Sequence, residues 1–398
     1  MATTALPTPL DQQRRTRFAL PGGPGWWTFC AAASLALAVF TSLGPHRAWG
    51  AAGALGYAAA AVLAACGRPA RTVGAVAVTG GVVLPLVVLL AVDRAQLEVE
   101  VVARAAALLL ADGTPYAAHP LIPEDFNPYL PGMAAFGLPE AVAGSGPLTD
   151  PRLWMGAAFL ATFAYALPTG FRREPLLWVA ACPLVALPLA VGGVDLPVVG
   201  LMCLGLAEAG RGRGGRAGLW LGLAAALKWT AWPALPVALA LLAVGSAGDR
   251  RRAGLRCAFV ALLTAALVLP AAWRDPGTFH AHVIAFPLGL TDAVSSAASP
   301  LPGQLLATHV PGGRTLALGL LGASALLVAV SLLVRPPATA PDAALRLAVG
   351  LLLAIAFLPA TRFGYLVHPL VLAVWAAVVR QRPVDAPVFV RIQRKATR

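Results

Sequence analysis

A short acidic cluster is the first candidate for chemistry in this chain. Asp93, Glu98 and Glu100 directly follow a long apolar run. A carboxylate at the mouth of a membrane helix is costly unless it is paired or used, and a positioned carboxylate can act as a general base. We therefore take Asp93 and Glu98 as candidate catalytic residues. Glu100 has two equally good interpretations: it contacts substrate, or it lies on a solvated acidic face of a helix.

The residues from 96 onward, which include Glu98 and Glu100, predict an amphipathic helix over 96–111. Glu100 and Arg104 are four residues apart on its polar side, which favours an ion pair, and Arg104 is with Glu100 a candidate for contacting substrate. The sequence Asp-Gly-Thr-Pro at 112–115 then ends the helix with turn chemistry. Such a helix is expected to lie in the membrane interface. The apolar positions on one face are Leu97, Val101, Ala105 and Leu108.

A stiff polar and aromatic turn follows at 124–133. Pro128 and Pro131 restrict the backbone around Asn127 and Tyr129 to an extended turn. A rigid turn of this kind is suited to contacting a sugar, and it is equally suited to a lid that packs on helix ends. Both interpretations of Asn127 and Tyr129 stay open.

Cations and aromatic residues also lie inside or against apolar segments. Lys228 is the only lysine before residue 395, and a lysine within a span is expensive. Its alternative role is snorkelling to the interface beside Trp229. Arg362, Tyr365 and His368 are three residues apart and point roughly one way at the start of a helix. Such groups suit a lipid phosphate, because arginine gives bidentate contacts.

A second group of basic residues opens a later loop. Arg274 is a further candidate for binding phosphate, whereas His280 and His282 are interpreted as surface histidines. A zinc site would need more ligands at the proper spacing. The five cysteines match no metal motif either. We expect no metal and no cofactor.

These residues must be positioned by membrane helices. The chain has 398 residues, of which 59% are apolar and 12% charged, with a mean hydropathy of +0.76. A soluble domain carries about 25% charged residues, so an ordinary soluble enzyme is excluded. The net charge of +13 is concentrated in short loops and termini, which hold 22 Lys/Arg against 6 Asp/Glu. The positive-inside rule places them in the cytoplasm, and nucleic-acid binding becomes unnecessary.

The predicted fold class is an all-α, polytopic membrane helix bundle of about twelve transmembrane segments, with both termini cytoplasmic. Segment 217–246 is too long for one span, and a helical hairpin turning near Lys228 accounts for it. We expect a basic arm at 1–25, a membrane domain at 26–379 and a basic tail at 380–398. Its long outer loops are 93–152 and 274–314. The other spans are 26–44, 48–66, 72–92, 153–171, 175–193, 196–210, 257–273, 315–334, 342–360 and 363–379.

Several of these motifs together resemble a known family. They are Gly-Thr-Pro-Tyr at 113–116, Asn-Pro-Tyr-Leu-Pro at 127–131, Leu-Lys-Trp-Thr-Ala-Trp-Pro at 227–233 and Arg-Phe-Gly-Tyr at 362–365. With the acidic helix mouth before them, they resemble the GT-C membrane glycosyltransferases. Within that superfamily the chain is most similar to glycosyltransferase family 87, the actinobacterial polyprenyl-phosphate-mannose-dependent α-mannosyltransferases.

The resemblance implies a mechanism in the plasma membrane. A sugar, mannose in this family, arrives on a polyprenyl phosphate at the extracytoplasmic face. An outer-loop acid takes a proton from a glycolipid or glycan acceptor, which attacks with inversion. Asp93 matches the family's first-loop acid, with Glu98 as its rival. Lys228 and Arg362 match positions suited to the lipid phosphate.

Two other classes of protein fit part of the same pattern. A transporter or flippase of lipid-linked glycans would also place cations inside the membrane, although no internal repeat is visible in the sequence. A non-catalytic envelope-assembly protein would not depend on Asp93 or Glu98.

Overall fold

The computed structural model describes residues 21–168, 173–244, 249–267, 269–293 and 297–380. These residues form helices and connecting turns, with one isolated β-bridge between Ala298 and Thr361. The all-helical class is therefore confirmed for the described part of the chain. The helices are α1 (Pro24–Phe40), α2 (Gly44–Ala65), α3 (Ala70–Ala91), α4 (Leu97–Asp112), α5 (Leu138–Ala143), α6 (Pro151–Ala166), α7 (Arg173–Ala181), α8 (Pro183–Val191), α9 (Asp195–Gly210), α10 (Gly214–Leu227), α11 (Ala234–Val244), α12 (Arg250–Ala266), α13 (Leu269–Trp273), α14 (Pro276–Phe279), α15 (Pro302–His309), α16 (Gly313–Val334), α17 (Ala340–Phe357) and α18 (Val367–Arg380).

Five helices of the described chain are long and apolar enough to cross a membrane. Residues 175–193, predicted as one span, are instead the pair α7 and α8, which meet at a bend of 73°. Counting that pair as one broken span gives six. Pro183 at the start of α8 explains the break, because proline cannot continue a helix. The count of twelve passes remains a prediction. The five helices are Gly44–Ala65, Ala70–Ala91, Gly313–Val334, Ala340–Phe357 and Phe363–Arg380.

The predicted amphipathic helix is α4. It ends at Gly113, whose φ of +72° is the left-handed conformation that favours glycine at a helix C-terminus. Its buried stripe is wider than predicted, since Val99, Val102 and Ala106 are buried as well as Val101 and Ala105. Helix α4 is not among the candidate spans.

Helices α10 and α12 approach closely along a glycine face. A Cβ atom added at Gly214, Gly218 or Gly222 would lie 2.0, 2.3 or 2.7 Å from the carbonyl oxygens of Ala253, Cys257 and Ala261. Small residues every four positions allow helix backbones to touch, as is common in membranes. The residue numbers at successive contacts increase along both helices, so the two helices run parallel. The chain must therefore reverse between them, as a hairpin at Lys228 requires.

Helix α9 runs through the middle of the bundle, and its side chains are buried along nearly its whole length. Its two ends carry different chemistry. Glu208, near its C-terminus, accepts from Arg211 at 2.5 Å and contacts Arg213 at 3.4 Å. Asp195 begins the helix, and 13 residues of α-helix separate it from Glu208 by about 20 Å. The arginines that contact Glu208 and the buried site described next thus lie at opposite ends of α9.

Candidate functional site

Distant segments of the chain converge on one cavity at the N-terminal end of α9. The cavity has a volume of about 320 Å³. Its polar lining comes from α4, the turn at 127–131, the break after α10 and the entry to α18. The ionisable or phenolic residues in its wall are Glu98, Tyr129, Lys228, Arg362, Tyr365 and His368.

Lys228 lies where α10 ends. Its backbone is extended, with φ −159° and ψ 146°, so the side chain leaves the helix. Its Nζ lies 2.6 Å from Asp195 Oδ1, 4.8 Å from the centre of the Tyr365 ring and 5.5 Å from that of Tyr129. An ammonium group is stabilised both by a carboxylate and by aromatic faces. Lys228 is therefore held inside the bundle, in contrast to the snorkelling alternative.

Glu98 is the carboxylate that faces this cavity. It lies in the first turn of α4, and its Oε1 atom accepts a hydrogen bond from Arg362 Nη1 at 3.1 Å. The backbone N–H of Val194 also donates to it. Burial raises the pKa of Glu98 above its ordinary value, while Lys228 and Arg362 lower it in part. A raised pKa makes an ionised carboxylate a stronger proton acceptor than an exposed glutamate.

His368 joins the same cluster from α18. Its Nδ1 atom is 3.2 Å from the carbonyl oxygen of Tyr365, which can only accept, so Nδ1 carries a proton. In the neutral ring, Nε2 is then free to accept from the Thr230 hydroxyl at 3.2 Å. The same Nε2 atom lies 3.5 Å from Asp195 Oδ1. With Nε2 unprotonated, this approach is a contact and not a hydrogen bond, and His368 lies between the α9 carboxylate and the cavity wall.

The turn at 127–131 is held in place by hydrogen bonds. Asn127 Oδ1 accepts from Tyr129 N at 3.1 Å, and Asn127 Nδ2 donates to the Pro115 carbonyl at 3.1 Å. The backbone N–H of Asn127 donates to His282 Nδ1 at 2.8 Å, and His282 Nε2 donates to the Ala117 carbonyl at 2.9 Å. His282 is fully buried and joins the two outer segments, so its interpretation as a surface histidine is wrong.

This network gives Asn127 and Tyr129 different positions relative to the cavity. Tyr129 lines it, whereas Asn127 lies behind it with its side chain bonded to backbone groups. Both observations fit the interpretation of the turn as a rigid lid. For Tyr129, contact with substrate also stays open.

Asp93 lies outside the cavity and has a local structural role. It is exposed, with a φ of +49°, and it directly follows the C-cap of α3. Its backbone N–H donates to the Leu90 carbonyl at 3.3 Å, while Arg94 N donates to Leu89 at 2.9 Å. These two bonds form a Schellman motif, which ends a helix. Of the two candidate bases, the geometry therefore favours Glu98.

The other three predicted site residues also lie away from the cavity wall. Glu100 is exposed in the first turn of α4, where a negative charge stabilises the helix by interacting with its dipole. Arg104 donates to the backbone carbonyl of Glu124 and so holds the turn against α4. Arg274 is exposed, and its side chain lies against Gly113, where an added Cβ would be 3.2 Å from Cδ. None of the three lines the cavity.

Asp195 is the residue that the sequence reasoning missed. It is 8% exposed and contacts Lys228 and His368. The signal was present, since Asp195 stands directly before the apolar run 196–210. A carboxylate at the mouth of a membrane helix is expensive unless it is used, and this holds for Asp195 as it does for Asp93.

Most of the remaining cavity wall is apolar. Residues of α17, among them Leu351, Ala354 and Ile355, form one side. Leu351 and Ala354 also line a second cavity of about 200 Å³ between α11, α16 and α17. Apart from Ser324, that cavity is lined by apolar residues and glycine. In the described part of the chain, no group of three or more His, Cys, Asp or Glu is placed to hold a metal ion.

The formal charges in the cluster balance. Glu98 and Asp195 are each paired with a cation, Arg362 and Lys228, at 3.1 and 2.6 Å. With a neutral His368, the cluster has no net charge. An incoming anion would therefore share each cation with the carboxylate that already contacts it.

Comparison with models of protein families identifies the family of the chain. Residues 127–360 match the model of glycosyltransferase family 87. The chain belongs to this family. The matched range contains Asp195 and Lys228, while Glu98 precedes it and Arg362 follows it. A family 87 glycosyltransferase must bind a sugar donor and an acceptor. No curated protein and no solved structure shows significant similarity to the chain.

Proposed function

We propose that this glycosyltransferase moves a sugar from a polyprenyl-phosphate donor to a cell-envelope acceptor at the extracytoplasmic face. The observation that carries the proposal is the cavity itself. It places one carboxylate, Glu98, beside two cations, Lys228 and Arg362, within walls that are otherwise largely apolar. A donor with a phosphate group and a hydrocarbon chain needs both parts of this arrangement.

In this proposal Lys228 and Arg362 bind the donor phosphate. Arginine contributes a planar, bidentate donor, and the lysine ammonium contributes a compact charge. The donor's hydrocarbon chain lies along α17, past Leu351 and Ala354, into the second cavity. That path is apolar, so it favours burial of a lipid chain over burial of a nucleotide.

The proposed reaction conserves charge within the site. The acceptor hydroxyl gives its proton to Glu98, and its oxygen forms a bond to the anomeric carbon from the face opposite the phosphate. The bond from the anomeric carbon to the phosphate oxygen breaks, and its electron pair leaves with the polyprenyl phosphate. The phosphate gains one negative charge while Glu98 loses one. Lys228 and Arg362 stabilise the charge where it develops.

The charge distribution supports the proposed orientation. The arginines around Glu208 are at the far end of α9 from the cavity. Since basic loops face the cytoplasm, the cavity faces the other side, in a plasma membrane with both termini cytoplasmic. Nucleotide sugars are confined to the cytoplasm, so a lipid-linked donor fits this face. Mannose as the sugar, and a glycolipid or glycan acceptor, rest on the resemblance to the α-mannosyltransferases of the family.

Transfer by the purified full-length protein tests this function. The protein is reconstituted in nanodiscs with radiolabelled polyprenyl-phosphate mannose, or with GDP-mannose, and a panel of alkyl mannosides and envelope lipid extract as acceptors. We expect labelled product from the lipid-linked donor alone. Product from GDP-mannose and none from the lipid-linked donor would refute the proposal.

A proteoliposome experiment separates transfer from transport. If fluorescent polyprenyl-phosphate mannose crosses the bilayer while no glycosidic bond forms with any acceptor, the protein is a flippase. We expect bond formation without accelerated crossing.

A further inference from the structure

Asp195 contacts the cavity's functional groups from behind. It is the first residue of α9, and its carboxylate reaches Lys228 at 2.6 Å and His368 at 3.5 Å. It is not among the residues that line the cavity. Asp195 therefore reaches a bound substrate through these two neighbours rather than directly.

The geometry around Lys228 shows what this contact does. An ammonium group has three N–H donors. One is directed to Asp195, and the rings of Tyr129 and Tyr365 flank the group at 5.5 and 4.8 Å. Fixing one donor fixes the cone in which the other two point. Without that fixed point, a flexible four-carbon side chain has many alternative positions.

We propose that Asp195 is a positioning residue that holds the Lys228 ammonium charged and oriented toward the phosphate of the lipid donor. The inference rests on the proposed function only in taking Lys228 as a phosphate ligand. The two buried carboxylates then have different roles. Glu98 lines the cavity and exchanges a proton, whereas Asp195 stays ionised behind Lys228 throughout the reaction.

Helix α9 also provides a control residue for Asp195. The chain already carries a second buried acid on the same helix, Glu208, which is paired with Arg211 at 2.5 Å. Glu208 stabilises the opposite end of the helix and contacts neither cavity. If both carboxylates served only to hold the bundle together, their neutralisation would have the same consequences for donor binding.

A binding experiment compares these two carboxylates. Wild type, Asp195→Asn, Asp195→Glu and Glu208→Gln are purified in nanodiscs, and the Kd for decaprenyl phosphate is measured by microscale thermophoresis. Hydrogen bonds to charged groups contribute about 1.5–3 kcal/mol, so we expect Asp195→Asn to weaken binding by about 10- to 100-fold. Asp195→Glu should recover part of the loss. Glu208→Gln should bind as wild type, even if its thermal stability is lower.

Kinetics with polyprenyl-phosphate mannose give a second, independent readout. We expect Asp195→Asn to raise the KM for the donor and to leave the KM for an alkyl mannoside acceptor unchanged. It should also move the alkaline limb of the pH profile to lower pH, because an ammonium without its carboxylate loses its proton more easily. The charged or titratable groups that face Lys228 or line the same cavity are Asp195, Glu98, Arg362, Tyr129, Tyr365 and His368.

A double-mutant cycle keeps the test decisive if Asp195→Asn folds poorly. Lys228→Gln and the double variant with Asp195→Asn remove one or both charges of the pair. If Asp195 acts through Lys228, the double variant binds decaprenyl phosphate no worse than Lys228→Gln alone. Additive losses would overturn the proposal, as would wild-type binding and an unmoved alkaline limb in Asp195→Asn. Wild-type turnover in Glu98→Gln would refute only the assignment of the general base, and product from GDP-mannose with none from the lipid-linked donor would refute the proposed function; in both cases the binding readout would still judge Asp195.

Discussion

Replacing Glu98 by glutamine tests the assignment of the general base most directly. The substitution preserves shape, and the amide oxygen can still accept from Arg362 Nη1, which lies 3.1 Å from Oε1. The fold and the donor site should therefore persist. What is lost is the ability to take a proton. General-base catalysis contributes about 10²- to 10⁴-fold, which corresponds to about 2.7–5.4 kcal/mol in the activation barrier.

We expect kcat of the Glu98→Gln variant to fall by about 10²- to 10⁴-fold, with a KM for the donor close to that of wild type. The assay is transfer from polyprenyl-phosphate mannose in nanodiscs, with thermal unfolding measured on the same sample. A matched variant, Asp93→Asn, should keep wild-type turnover, because asparagine tolerates the left-handed conformation that Asp93 adopts at φ +49°.

The pair of variants can refute the reasoning in two ways. If Asp93→Asn loses turnover while Glu98→Gln keeps it, the base is Asp93, and the α3 terminus must rearrange to reach the acceptor. If both variants keep wild-type turnover, neither carboxylate accepts the proton, and the enzyme uses another group.

Three further outcomes follow from the geometry. Burial raises the pKa of Glu98, and a general base must be deprotonated to act. As the pH is lowered, activity should therefore fall at a pH above 4.5, the ordinary pKa of a glutamate. An acid limb of kcat/KM at or below 4.5 would contradict this. Arg362→Ala should raise the KM for the donor by about tenfold or more and leave the acceptor KM unchanged, so equal effects on both would argue against the phosphate role. Gly218→Val should lower the stability of the bundle by about 1–3 kcal/mol, because a Cβ there meets the Cys257 carbonyl at 2.3 Å. Gly215→Ala should be neutral, because nothing lies within 4 Å of a Cβ at that position. Equal melting temperatures of the two variants by scanning fluorimetry would show that the two helices can separate without cost.

Local sequence signals predicted the local structure well. The helix expected over 96–111 is Leu97–Asp112, and its termination at Gly113 follows from the turn residues that succeed it. These features depend on neighbours within a few residues, which the sequence displays directly. The bend of 73° between α7 and α8 was missed, because hydropathy reports the length of an apolar run and not its direction.

The composition of the site was predictable only in part. Lys228, Arg362 and His368 were found because polar groups inside apolar runs are costly and therefore conspicuous. Which carboxylates join them depends on contacts between residues far apart in the chain, such as Arg362 with Glu98. Asp195 satisfied the same criterion as Asp93 yet was missed, and only the tertiary arrangement shows that it pairs with Lys228.

The bond between Asn127 and His282 has a consequence for engineering relatives of this enzyme. It links segments 155 residues apart, and both segments contribute residues to the cavity wall. Replacing the later segment by one without a histidine at position 282 would leave the backbone amide of Asn127 without its acceptor. Chimeras meant to alter acceptor preference should therefore exchange the segments around 115–131 and 279–290 together, as a single cassette.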